Sequence, residues 1–232
     1  MKIRMHILDD LADLSPRARD LLGRTGRRTP QQSRTVPDPA GQAAPIPDAL
    51  AIRRDEFDQR FGGLGYQVRR SFSAAGQRFE ASTGWEYILG TEVWPDPTGG
   101  YFDWTGEHRA TPVRYLLHSN GTVGVDDGSG IFLPIAPSIP HLIESHALED
   151  SVSPWNPWPV SSHAIAVAQH LDGLAEVSEA SGHMLRWRIS DTVAVVDFDN
   201  WNSGDRVRRA FIWSYGEDGY RQVADATTRV AP

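Results

Sequence analysis

Apolar residues recur along this chain in two rhythms, one of period 3.6 and one of period 2, and the changes between them mark out its elements. Near the start, Ile7, Leu8, Leu11 and Leu14 lie at helical spacing. Ser15-Pro16 then supplies a cap and a first helical position ahead of Ala18, Leu21 and Leu22, with Gly23 as the stop. Two short helices are expected there. Residues 24–45 hold almost no large apolar side chain and several prolines, so burial cannot offset the entropy of ordering them, and they read as a linker or surface arm. Periodicity resumes at Ile46-Pro47-Asp48, where Asp48 is placed to cap a helix carrying Leu50, Ile52, Phe57 and Phe61, ended by Gly62-Gly63.

The period then shortens to 2. Strands are expected over 66–72, around Phe79, and over 85–89, 101–104 and 113–118, separated by turn residues. Asn120-Gly121 joins Tyr115-Leu116-Leu117 to Val123-Gly124-Val125, a strong hairpin signal that predicts an antiparallel meander. Ile131, Leu133 and Ile135 alternate on a further strand with one face buried. A helix then opens at Ser138 with Ile139, Leu142, Ile143 and Ala147 on one stripe. After the Trp/Pro-rich stretch 151–159, a second helix is expected from Ser161 or Ser162 to near Gly182, with Ile165, Val167, Ala168, Leu171, Leu174 and Val177 as its apolar positions. Strands over 185–189, 193–198 and 210–215 follow, then an Asp218-Gly219 turn and a last strand over 220–223. Helix, strands, two helices and strands in that order predict an α+β fold: a mostly antiparallel sheet of short strands with flanking helices.

Composition narrows this picture. A chain of 232 residues, 40% hydrophobic, is long enough for one substantial core with appended segments. The division expected is a basic N-terminal arm at 1–45, an α+β core at 46–150, and a helix with antiparallel strands at 151–232 that extends the core. The Trp-rich connection at 154–159 is short and unlike a flexible spacer. With no cysteine, disulfides, thiolate chemistry and cysteine-based zinc sites are excluded. No apolar run has the length of a signal peptide core or membrane span, so a cytoplasmic location is expected. The net charge of −7 is uneven: residues 1–45 hold eight basic and five acidic residues, leaving 15 against 25 over 46–232. An acidic body repels nucleic acid and favours a cationic partner, so contact with nucleic acid is expected only through the arm.

Three features in order give a resemblance to the SUKH superfamily, the SMI1/KNR4-like proteins. They are Ile46-Pro47-Asp48 with a helix ending in Phe61-Gly62-Gly63-Leu64, the short-stranded meander, and Asp127-Gly128-Ser129-Gly130 leading through Ile135-Ala136-Pro137-Ser138-Ile139 into Leu142-Ile143-Glu144. The resemblance covers about residues 46–150. It implies an SMI1/KNR4-like α+β fold and a non-enzymatic binding role, above all that of an immunity protein neutralising a toxin domain, often a nuclease; it carries no catalytic residue and no cofactor across.

The residues themselves offer little to an enzyme. His141, Glu144 and His146 have the best metal-like spacing, but His146 lies about 140° around the helix from His141, matching no zinc motif, and exposed helix residues explain them as well. Asp126-Asp127-Gly128 lacks the later oxygens of a calcium loop, and Gly62-Gly63-Leu64-Gly65 follows a helix instead of opening one. Neither metal nor cofactor is expected. Trp94, Trp104, Trp155, Trp158 and Trp201 stand beside loop-forming residues, where a tryptophan serves either as a core anchor or as an interface hot spot. The mixture of aromatics and carboxylates at Trp94, Asp96, Tyr101, Asp103 and Trp104, with Asp126 and Asp127, suits an arginine-rich partner surface. A regulatory or scaffold module, and a small hydrolase or metalloenzyme, are the alternatives.

Overall fold

Fourteen residues from Asp48 to Phe61 wind into a helix because Leu50, Phe57 and Phe61 fall on one side of it and bury there. The computed structural model describes residues 5–30, 46–74, 76–108, 113–126, 131–159, 163–199 and 208–230. They form an α+β protein with a seven-stranded antiparallel sheet, a five-stranded sheet and five α-helices among the described residues. By contact the chain divides into two compact units, Met1–Val68 with Thr83–Pro140, and Arg69–Ser82 with His141–Pro232. The last boundary between them falls at Pro140. Among the described residues no helix is long and apolar enough to cross a membrane.

The first sheet is a meander in strict chain order: β1 (Arg27–Arg28), β2 (Leu64–Ala74), β3 (Gln77–Trp94), β4 (Tyr101–Glu107), β5 (Arg114–His118), β6 (Val123–Asp126) and β7 (Phe132–Ala136). In the first unit α1 (Pro16–Thr25) and α2 (Asp48–Phe61) accompany it. Alternate residues of β3, β4 and β5 meet α2 in an aromatic core. Phe57 is its hub, with ring centroids 6.3 Å from Tyr87, 5.7 Å from Phe102 and 5.9 Å from Trp104. The Tyr66 and Tyr87 hydroxyls meet at 2.8 Å, so each buried polar tip has a partner, and burial raises the Tyr87 phenol well above its ordinary pKa. The outer edge of β2 is closed by side chains beyond the two residues that β1 covers. Thr25 Oγ1 donates to the Gln67 carbonyl at 3.2 Å and accepts from its N–H at 3.3 Å, leaving less edge for another strand to pair with.

In the second unit the strands run β8 (Asn156–Pro157), β12 (Arg208–Ser214), β11 (Val193–Asp199), β10 (Leu185–Ile189) and β9 (Ala175–Glu176) across the sheet. Both faces are buried, which is why β11 reads Val-Ala-Val-Val without alternation. Val193, Val195, Ala210 and Ile212 pack with α4 (Ala164–Gln169) and α5 (Gly216–Val230). Ala194, Val196, Trp187 and Trp213 pack on the other face with Leu148 and Val152 of α3 (Ile139–Val152). Asp150 of α3 fixes the distal part of the β2–β3 hairpin, accepting from the Arg69 N–H at 2.9 Å and from its guanidinium at 3.0 and 2.9 Å.

Several expectations are corrected. The helix expected to reach Gly182 stops at Gln169, because Gly173 takes a φ of 73° and the chain turns into β9. The Asp218-Gly219 turn and final strand are instead α5. Gly219, Val223 and Ala226 repeat at helical spacing, and Gly219 is needed because a Cβ there would stand 2.2 Å from the Thr192 carbonyl oxygen. The first expected helix is a single 3-10 turn over Ile7–Asp9. Asp48 is the first helical residue rather than the cap, and no side chain caps α2. The separate strands at Phe79 and 85–89 are one strand, β3. Arg27–Arg28, placed in the arm, pair with β2, while residues 31–45 lie outside the described residues. Of the alternating Ile131, Leu133 and Ile135 only Leu133 is buried, and Ile131 is exposed and precedes β7. Glu144 and His146, read as exposed, are buried within α3.

Candidate functional site

Strand parity decides which of the singled-out residues share a surface. Along β4, Phe102 and Trp104 point into the aromatic core, so Tyr101 and Asp103 point away from it. Register carries that outer face across the sheet: Tyr101 pairs with Trp94 on one side and His118 on the other, and Asp103 with Leu116. Leu116 pairs in turn with Gly124, Arg114 with Asp126, and Asp126 with Phe132. Trp94, Tyr101, Asp103, Asp126 and Phe132 therefore lie on one face although 38 residues of sequence separate the first from the last.

The face is built as a stack of rings on a buried leucine. Trp94 and Tyr101 lie nearly parallel, 5.4 Å apart and 26° from coplanar; Tyr101 meets Phe132 at 5.4 Å, and His118 meets Phe132 at 5.7 Å. Leu116, among them on this face, is only 2% exposed. Trp94, Tyr101 and Phe132 are each half-buried, so every ring keeps a solvent-facing surface. Arg114 sits 5.1 Å over the Trp94 ring, 3.2 Å from Glu92 and 4.0 Å from Asp126.

Carboxylates surround the rings. Asp96 Oδ1 accepts from the Thr98 N–H at 2.7 Å, the Thr98 hydroxyl at 2.7 Å and the Gly100 N–H at 3.0 Å, which folds the Trp94–Tyr101 connection into a fixed turn. Burial works against its charge, but these donors and the neighbouring His118 outweigh it and hold its pKa below the ordinary carboxylate value. Asp103 is the opposite case: burial, with the Glu92 charge added, raises its pKa, even though the Glu92 N–H donates to Oδ1 at 2.9 Å. Its carboxyl lies against Gly90, where a Cβ would be 2.0 Å from Cγ. Burial and the charges of Asp126 and Asp96 raise the Tyr101 phenol, which stays protonated. Glu92, Asp96, Asp103 and Asp126 outnumber the guanidinium groups near them among the described residues, Arg114 beside Glu92 and Asp126 and Arg54 near Asp103.

Five of the seven singled-out residues, Trp94, Asp96, Tyr101, Asp103 and Asp126, thus gather at this face and its bordering turn. Trp104 does not; it is 3% exposed and stacked on Tyr87 at 4.6 Å in the core. Asp127 and Trp201 lie outside the described residues. Phe132, His118, Arg114 and Glu92 complete the face and were not picked out from sequence. The Asn120-Gly121 signal came close to finding Arg114, since folding about it sets Arg114 opposite Asp126 once a five-residue loop is allowed. Trp155 and Trp158 pack on the second unit's cores, with exposed Tyr215 and Tyr220 against them.

Among the described residues no group of three or more His, Asp or Glu is placed to hold a metal ion. What the arrangement can do is present fixed aromatic surface inside a negative rim, which suits contact with apolar and cationic side chains. No family model, curated protein or solved structure matches the chain.

Proposed function

We propose that this chain is a non-enzymatic binding protein of the SMI1/KNR4-like kind, an immunity protein that neutralises a cationic toxin domain by occluding it. The observation that carries the reading is the Trp94–Tyr101–Phe132 stack, half-exposed and rimmed by Glu92, Asp96, Asp103 and Asp126. Tight interfaces rely on such rigid aromatic anchors, which bring large contact area at small entropic cost. The excess of acidic over basic residues in 46–232 adds long-range attraction for a basic partner and raises the rate of encounter.

The test is co-expression of the chain with the products of its neighbouring genes, followed by titration of the purified pair. Tight 1:1 binding is expected, with an association rate that falls as salt rises and with protection of cells from the toxic product. Failure to bind any neighbouring product, or protection that survives loss of the Trp94 and Tyr101 rings together, would sink the reading.

A further inference from the structure

The first unit holds a second concavity, built from different residues. It is a cleft of about 630 Å³ bounded by the N-terminal segment, the second half of α2, the β5–β6 turn and residues 138–140. Its floor is apolar: Ile7, Leu14, Phe57, Phe61, Leu117 and Ile139 line it. Its mouth is charged, with Asp10, Asp13, Glu56, Arg53 and Arg60. The volume falls in the range of small-molecule pockets, about 300–1,000 Å³, and exceeds what one inserted side chain fills.

The mouth's donors and acceptors are used unequally. Arg60 spends its guanidinium on the cleft wall, donating to the Met5 carbonyl at 2.9 Å and the Asp10 carbonyl at 3.2 Å. Arg53 likewise donates to the Ser119 carbonyl at 3.1 Å and to Glu56 at 2.7 Å. Both arginines therefore knit the walls together and have little left to offer an anion. The carboxylates are differently placed. Asp13 is 85% exposed and its nearest ion pair, with Arg60, is long at 3.7 Å; Asp10 stands 3.8 Å from the same guanidinium. Glu56 is spent on Arg53, so Asp10 and Asp13, set against the single Arg60 guanidinium that is committed to the wall carbonyls, leave the mouth exposed acceptors and one net negative charge over an apolar floor.

We infer that this cleft binds a small amphipathic organic cation, its apolar body on the Phe57–Ile139 floor and its ammonium or amidinium head at Asp10 and Asp13. The site is independent of the aromatic face and of the binding reading given to it. An anionic amphiphile would meet acceptors where it needs donors, and a neutral one would leave the mouth's excess negative charge uncompensated.

The full-length protein titrated with n-octylammonium chloride tests this, with sodium octanoate and 1-octanol as isosteres of the same length. Saturable 1:1 binding of octylammonium is expected, roughly tenfold or more tighter than octanoate, with methyl shifts at Ile7, Leu117 and Ile139. Asp13→Asn, at a position too exposed to unfold the chain, weakens it severalfold, and Asp13→Asn with Asp10→Asn weakens it further. The inference is overturned if octanoate or octanol binds as tightly, if saturable binding is absent, or if the two mouth substitutions leave affinity unchanged. It is equally overturned if Glu92→Gln with Asp126→Asn abolishes binding instead, since that places the amine on the aromatic face.

Discussion

The Phe132 ring lies across Gly124, so close that a Cβ on the glycine would stand 2.6 Å from two ring atoms and 2.8 Å from the Leu133 carbonyl oxygen. The missing side chain is what lets Phe132 lie down on the sheet and reach Tyr101 and His118. Because the backbone oxygen cannot swing aside, Gly124→Ala is expected to cost about 1–3 kcal/mol of stability by overpacking and to displace Phe132 from the stack. Denaturant unfolding measures the first effect, and ring-proton shifts of Tyr101 the second.

Two tryptophans ten residues apart separate folding from recognition. Trp104→Ala removes a ring packed on Phe57, Tyr87 and Tyr115 and is expected to destabilise the protein by about 3–5 kcal/mol. Trp94→Ala, from a half-exposed position, is expected to cost no more than about 1 kcal/mol of stability while weakening partner binding at least tenfold, or about 1.4 kcal/mol. Equal loss of binding and stability in both variants would contradict the division of roles.

Asp150, 2% exposed, is the acceptor for the Arg69 N–H as well as for its guanidinium. Replacing it by Ala strands a backbone donor of β2, whereas Arg69, half exposed, can turn to water. A loss of about 2–4 kcal/mol in the second unit is expected, with faster hydrogen exchange at the Arg69 amide. Asp150→Asn keeps an acceptor for that amide and should lose less.

The two carboxylates of the aromatic face shift in opposite directions and make opposite predictions for pH. Asp103 has a folded pKa above its unfolded one, so its contribution is fully present below the ordinary carboxylate range and is lost as pH rises through the folded value. Asp103→Asn therefore gains on the wild type between pH 3 and 7. Asp96 has a folded pKa below its unfolded one; its contribution is present above the ordinary range and is lost as pH falls through the folded value. Asp96→Asn is thus less stable than the wild type at pH 7 and converges on it in acid. Urea unfolding of both variants from pH 3 to 7 distinguishes these trends.

Much of this was legible where a local rule acts alone. Ser15-Pro16 starts α1, with the Ser15 hydroxyl accepting from the Ala18 N–H at 3.3 Å, and Gly62-Gly63 ends α2, with Gly63 at a φ of 74°. The unbroken Val193–Val196 run becomes a strand buried on both faces. Periodicity misled where it was short or shared. Leu171, Leu174 and Val177 continue a helical stripe on paper, but Gly173 turns the chain and β9 takes Ala175 and Glu176. Tyr220 to Val223 looks like a strand until Ala226 is counted with Val223 as the next turn of a helix.

The candidate site divides along the same line. By itself the sequence determined an α+β chain with an antiparallel meander, and it placed aromatic and acidic residues together near Trp94. Those properties follow from side-chain period, turn chemistry and charge, which are local. Only the tertiary structure decided which of those residues face the same way. Asp103 and Trp104 are neighbours in sequence and opposites in space because adjacent strand residues point to opposite faces, and Phe132 joins Trp94 because β7 pairs beside β6. Register and pairing are long-range choices, set by burial across the whole sheet, and no local pattern contains them.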